Sequence, residues 1–411
     1  MADIVAIGAL NVDCIARSGT DSILPTGFEL EQERQVSSDR IDGLLREFGG
    51  NNYSATFGGS AFNVVRALHY AAPEFSVGFV GVAGTASKFS LDLSGEIDRL
   101  GLPRALLRNS EAEVGVCFSI VRGDKRGLET YPGANVEMAS HLEDQRESIL
   151  AELFTAKIVH ITSLFDECSP KVLLSILTEA RRRNPSLRIS FDPGHFWTSQ
   201  KRHLVYELAG TADFLFLNNA EFFHLADSLE VREESVRRLL MRVRTRGIVI
   251  VLKEFNQILT FSEIGGKLIS RRYPNDALAS SKIRNPTGAG DAFAAGYLMS
   301  VLIPSLCPAQ SALLGLRLVR RKLISEEVDI SSLRYGQVFS DFLDDLRAGQ
   351  IDNPEFDNLA TWADFGLSWK TSLARLGGLF VSTAEYAWAK IKVFLKWAFM
   401  AARIWNWVGL K

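Results

Sequence analysis

Apolar and polar positions alternate along the chain in two distinct rhythms. From Ala139 onward, helical stretches precede short apolar runs at Ile158–Ile161, Leu187–Phe191, Phe214–Leu217 and Ile248–Leu252. Such runs read as strands buried on both faces. Their alternation with helices implies a mostly parallel sheet covered on both sides. Near the N-terminus, Ile4 to Leu10 reads as one more buried strand, with Asn11-Val12-Asp13 at its exit. An Asp in that place often caps its own turn. Ser60 to Tyr70 carries an apolar stripe at helical spacing, Phe75 to Val82 reads as a strand and Lys88 to Leu100 as a helix. The second rhythm has period two. Val114, Val116, Phe118 and Ile120 alternate, Arg122 to Arg126 makes a polar tip, and Leu128 to Tyr131 returns. This is a β-ribbon, and a ribbon beside a pocket often acts as a lid. Residues 18–57 show little helical periodicity and many Gly, Ser and Thr.

The chain has 411 residues and a formal net charge of −2, so nothing global points to nucleic acid. Its length suits one large or two ordinary domains. Cys14, Cys117, Cys168 and Cys307 lie far apart without a CxxC pair, which predicts free thiols in a reducing, cytoplasmic setting. The six His are scattered, with no metal-ligand spacing. The N-terminus lacks a basic segment followed by a long apolar one and reads as a strand, not a signal peptide.

In a parallel sheet of this kind, ligands bind beyond the carboxyl ends of the strands. The polar residues there are Asp192, Asn218, Glu221, Lys253 and the turn within Asn285–Tyr297, NPTGAGDAFAAGY. Gly288 and Gly290 let the backbone approach a ligand without a Cβ in the way. The N–H groups that open the following helix are unpaired and carry partial positive charge, which suits phosphate oxygens. Asp291 beside them could take a proton from a hydroxyl. The same residues also fit a plain loop-to-helix junction whose Asp suits the first turn. Gly58-Gly59 is a second close-approach turn, with Asn63 one turn into the helix behind it. Asn63 is either an ordinary early-helix polar residue or a ligand contact. Neither a P-loop nor a dinucleotide fingerprint occurs.

With these motifs in order, residues 1–346 resemble the ribokinase-like (PfkB) carbohydrate kinases. The family's G-G-x-x-x-N signature reads GGSAFN here. Its D-T-x-G-A-G-D signature reads NPTGAGD, and Asp13, Gly133-Ala134-Asn135 and the N-x-x-E of Asn218 and Glu221 fall between or before them. The resemblance implies an α/β, three-layer ribokinase-like fold with a small β lid, formed by about residues 14–57 and 104–132. It implies transfer of the γ-phosphate of ATP to a sugar or nucleoside hydroxyl. Asp291 would be the general base, and the amides of Gly288, Ala289 and Gly290 the anion hole. Asp13, Gly58, Gly59 and Asn63 would hold the acceptor. Asn218, Glu221, Lys253 and Thr287 would face the nucleotide, with Asn218 and Glu221 organising Mg²⁺ through water. A second copy of the chain could pair along the lid edges.

Three departures stand out. Asn285-Pro286 replaces Asp-Thr, so one charge near the metal is lost. KEFNQIL, with Phe255 and Ile258, stands where a Gly-containing nucleotide loop is expected. GVAGTASKF lacks an Asp after its second Gly. The first two keep a rival reading open, a weakly active or inactive ligand sensor on the same fold. Residues 347–370 form an acidic connector. Residues 371–411 are basic and rich in Trp, with Lys390, Lys392, Lys396 and Arg403 interrupting every window long enough to span a bilayer. That pattern fits a helix lying in a membrane interface, or one that packs on protein.

Overall fold

The apolar runs pair into one large sheet, and the period-two segments into a second, smaller one. In this computed structural model the described residues are 2–351, other than 20–22, 50–51, 124, 201–202, 229–230, 246, 248, 254–256, 265–266, 275–277 and 304. The expectations for residues 352–411, the tail included, lie outside them. In chain order the strands are β1 (Ile4–Ile7), β2 (Asn11–Arg17), β3 (Glu33–Gln35), β4 (Tyr53–Gly58), β5 (Val77–Thr85), β6 (Leu107–Glu113), β7 (Gly115–Arg122), β8 (Lys125–Tyr131), β9 (Ile158–Thr162), β10 (Arg188–Asp192), β11 (Phe214–Leu217), β12 (Val249–Lys253), β13 (Gln257–Ile264) and β14 (Lys267–Pro274). The large sheet runs β14-β13-β12-β11-β10-β9-β1-β5-β6. It is parallel from β12 to β6 and ends at the other edge in the antiparallel hairpin β13–β14. Every residue of β1 and β9 is buried, as expected for strands covered on both faces.

The small sheet runs β3-β8-β7-β2-β4. The ribbon β7–β8 is thus the middle of a five-stranded lid, wider than the expected hairpin. Residues Asn11 to Arg17 are a strand, so Asp13 is not a turn residue; its backbone is paired on both sides. Side chains alternate along a strand. Val12, Cys14 and Ala16 therefore join Val116, Phe118 and Ile120 in the lid's own apolar core, while Asp13 points to the other face. That core is roofed by a helix, Ser38–Phe48, inside the segment that reads as non-helical. Ile41, Leu44, Leu45 and Phe48 recur at helical spacing and pack on it, and the Ser37 hydroxyl caps the helix by accepting from Arg40 N–H. The small polar residues on either side obscured this one apolar face.

Two other boundaries shift. The helix expected from Lys88 starts at Leu93, because Asp92 accepts from Gly95 N–H and fixes the N-terminus there. Ile258 is not in a loop: it lies in β13, paired with Lys253 and buried in the main core. Phe255 lies outside the described residues. All four cysteines are free thiols.

Behind the large sheet, helices Ser60–Ala71, Ala289–Leu302 and Pro308–Ile324 form one layer of the core. The last two cross backbone to backbone at glycine. A Cβ on Gly296 would stand 2.5 Å from the Gly315 Cα.

Candidate active site

The Gly58-Gly59 turn ends β4 and opens helix Ser60–Ala71. Gly59 has φ 102°, and a Cβ there would sit 2.0 Å from the Ala9 carbonyl oxygen. A side chain is excluded on both counts. A Cβ on Gly58 would meet the Asp13 carboxylate at 2.0 Å, so that carboxylate lies directly over the turn. The turn sets the start of the helix and hence the height of Asn63, whose Nδ2 donates to Asp291 Oδ2 at 2.9 Å.

Asp291 stands in the first turn of helix Ala289–Leu302. Gly288 precedes it in the left-handed region, φ 76°, which brings the turn amides round to one side. Of the three amides, Ala289 N–H donates to the Pro286 carbonyl at 3.3 Å. Gly288 and Gly290 N–H have no acceptor among the described residues. Asn63 Nδ2 and Asp291 Oδ2 each lie 3.7 Å from the empty Cβ position of Gly288, and Lys322 Cε lies 3.8 Å from it. Lys322 was not singled out from sequence. It sits in the last turn of helix Pro308–Ile324, buried, with Nζ donating to the Val328 carbonyl at 3.3 Å.

The electrostatics follow from burial. Asp13 is 8% exposed, and burial together with the Asp291 charge pushes its carboxyl up to about 7. Lys322 is pushed down to about 8 by burial, which the Asp13 carboxylate opposes. Behind them, Arg66 donates to Glu96 at 2.7 Å, to the Phe57 carbonyl at 2.9 Å and to Asp329. Burial would raise Asp329, but Arg66 and Ser331 together hold it below its ordinary value. Arg66 is therefore a clamp on the strand that leads into Gly58. Its place one turn after Asn63 was the available signal.

The lid closes over this group. Ser119 Oγ of β7 is 3.4 Å from Thr287 Oγ1, and Arg126 of β8 donates to the Pro286 carbonyl at 3.4 Å. Thr287, expected on the nucleotide side, thus meets the lid. Asn135 has a structural task where the chain passes from β1 into β2. Its Oδ1 accepts from Leu10 N–H at 2.9 Å and its Nδ2 donates to the carbonyls of Leu10 and Pro132 and to Asn11 Oδ1.

Asn218 and Lys253 stand at the ends of β11 and β12. Asn218 and Glu221 cap helix Asn219–Ala226 by exchanging bonds: Glu221 N–H donates to Asn218 Oδ1 at 3.0 Å, and the Glu221 carboxylate accepts from Asn218 N–H at 2.9 Å and Nδ2 at 2.7 Å. Lys253 closes β12, and its side chain lies outside the described atoms. Asn285 is 1% exposed; its Oδ1 accepts from Thr287 N–H at 3.1 Å, while its Nδ2 has no partner among the described residues. No group of three or more His, Cys, Asp or Glu suited to a metal occurs among the described residues. Asn218 and Glu221 carry the oxygen donors that a divalent ion takes through water.

A family model described as pfkB family carbohydrate kinase matches residues 47–303. The chain belongs to this family. The match spans both glycine turns, Asn63 and Asp291, and makes the protein a kinase. Among curated relatives, adenosine kinase of Saccharomyces cerevisiae is 25% identical over 252 residues, covering 59% of this chain and 70% of the relative. Among solved structures, adenosine kinase from Schistosoma mansoni in complex with 2-fluoroadenosine has a TM-score of 0.65 at 15% identity, covering 79% of this chain and 95% of that one. A probable sugar kinase from Rhizobium etli has a TM-score of 0.65 at 17% identity, covering 85% and 99%. These likenesses establish the ribokinase-like fold for this pfkB-family kinase.

Proposed function

We propose that this kinase transfers the γ-phosphate of ATP to a hydroxyl of a nucleoside, with adenosine the first acceptor to test. The observation that carries the reading is the meeting of Asp291, Asn63 and the Gly288 turn around one point, with Asp13 over Gly58 beside them. The acceptor class rests on the adenosine kinase relative, which is closer in sequence than any match to a sugar kinase described above.

In this reading Asp13 and Asn63 hold the acceptor's hydroxyls. Asp291 Oδ2 takes the proton from the attacking hydroxyl, while Asn63 Nδ2 keeps that carboxylate oriented. The free amides of Gly288 and Gly290 receive the phosphoryl oxygens. The lid, through Ser119 and Arg126, keeps water from the turn. Asn218 and Glu221 would hold Mg²⁺ through water, and the bound ion would supply neutralising charge to the donor phosphates. Lys253 belongs to the nucleotide side. Transfer of this kind needs alignment and charge neutralisation more than covalent help.

The test is Asp291→Asn. Turnover of adenosine with ATP should fall by about two to four orders of magnitude while acceptor binding, read by calorimetry, persists. A wild-type chain that phosphorylates nothing in a nucleoside and sugar panel, yet binds one of its members, would instead favour the sensor reading. The orphaned Asn285 Nδ2 is the observation on that side.

A further inference from the structure

Lys322 is a buried cation that the mechanism above does not use. Lys322 is 3% exposed, and its ammonium has three hydrogens to place. Among the described residues it makes one hydrogen bond, to the Val328 carbonyl at 3.3 Å. Burying an ammonium this way is unfavourable unless charge or ligand compensates. The side chain is also aimed. Its Cε lies 3.8 Å from the vacant Cβ position of Gly288, the point that Asn63 Nδ2 and Asp291 Oδ2 approach at 3.7 Å. The Gly296–Gly315 crossing brings the Lys322 helix close enough for this reach.

We propose that Lys322 is a further catalytic residue of the phosphotransfer site, its protonated ammonium donating to an anionic phosphoryl group held over the Gly288–Gly290 turn. The proposal rests on reading that turn as the phosphate site. The charges that face Lys322 come from four elements: Asp13 on β2, Asp291 on helix Ala289–Leu302, Arg66 on helix Ser60–Ala71 and Asp329 in the segment after its own helix. Two carboxylates beside an incoming phosphate would repel it. A fixed cation beside the turn offsets that field. Burial pushes the ammonium down to about 8, so its charge, and with it the charge-assisted bond, is lost as pH rises through that value.

Binding of inorganic tripolyphosphate to the full chain tests this without requiring turnover. Calorimetric titrations would compare wild type, Lys322→Met and Lys322→Arg near neutral pH and again about two units higher. Lys322→Met should bind at least about tenfold more weakly near neutrality, with Lys322→Arg close to wild type. At the higher pH wild type should lose affinity relative to Lys322→Arg, whose guanidinium stays charged. Equal binding by wild type and Lys322→Met overturns the proposal, as does a wild-type chain that does not bind tripolyphosphate. Should Lys322→Met fail to fold, the pH comparison of wild type with Lys322→Arg decides: parallel responses overturn it. If tripolyphosphate binding follows Lys322 but no nucleoside is phosphorylated, the acceptor assignment fails and this assignment stands.

Discussion

Asp13 shows what one side chain's surroundings do to its chemistry. Its carboxyl is raised to about 7, so the folded protein holds that proton more tightly than the unfolded chain. The stability it contributes is complete below the ordinary carboxylate range and is lost as pH rises through about 7. Asp13→Asn fixes the neutral form. Thermal melts should therefore show little gain over wild type near pH 3.5, a gain that grows between about pH 4 and pH 7, and a plateau above that, on the order of 4 kcal/mol at most. A gain that is flat with pH would refute the assignment. The motif residues Gly58, Gly59, Asn63, Gly288 and Asp291 were legible in the sequence because glycine turns and helix starts leave local marks. Lys322 and Arg66 were not. A cation on a mixed helix face looks solvated until the fold shows which neighbours surround it.

Elements carry the next lesson. The parallel strands β9 to β12 were legible within a residue or two, since a strand covered on both faces is apolar throughout. The lid helix Ser38–Phe48 was hidden because only one of its faces meets a small core. The hairpin β13–β14 was likewise missed: Thr260, Arg271 and Arg272 dilute its pattern at a sheet edge. The Gly296–Gly315 crossing gives an element-scale prediction. Gly296→Ala should separate helices Ala289–Leu302 and Pro308–Ile324, with a loss of about 1–3 kcal/mol in denaturant unfolding. Unchanged stability would mean that the helices do not pack this closely. Arg66 links β4 and the helices Ser60–Ala71 and Leu93–Leu100. Arg66→Met leaves the buried Glu96 with the exposed Arg99 and the Tyr70 hydroxyl, and should destabilise by about 3–5 kcal/mol.

For the whole molecule, the order of the motifs identified the fold better than any of them singly. The small sheet was underestimated because its five strands are scattered from residue 11 to residue 131, and only the β7–β8 hairpin is contiguous. Among the described residues no helix is long and apolar enough to cross a membrane. The tail, residues 371–411, carries a separate prediction from its basic, Trp-rich composition. The intact chain should float with anionic vesicles and a chain ending at 370 should not, both retaining kinase turnover. Equal flotation of the two rejects a membrane role for the tail.

Asp13 belongs to the small sheet and Asp291 to a helix packed on the large one. On the proposed reading, an acceptor that contacts both ties the two bodies together and keeps the cover, already seated on Thr287 and Pro286, in place above the turn. Recognition and the exclusion of solvent are then a single event. A molecule too short to bridge the gap leaves the cover slack, and ATP in such an enzyme has no well-placed hydroxyl to spend itself on.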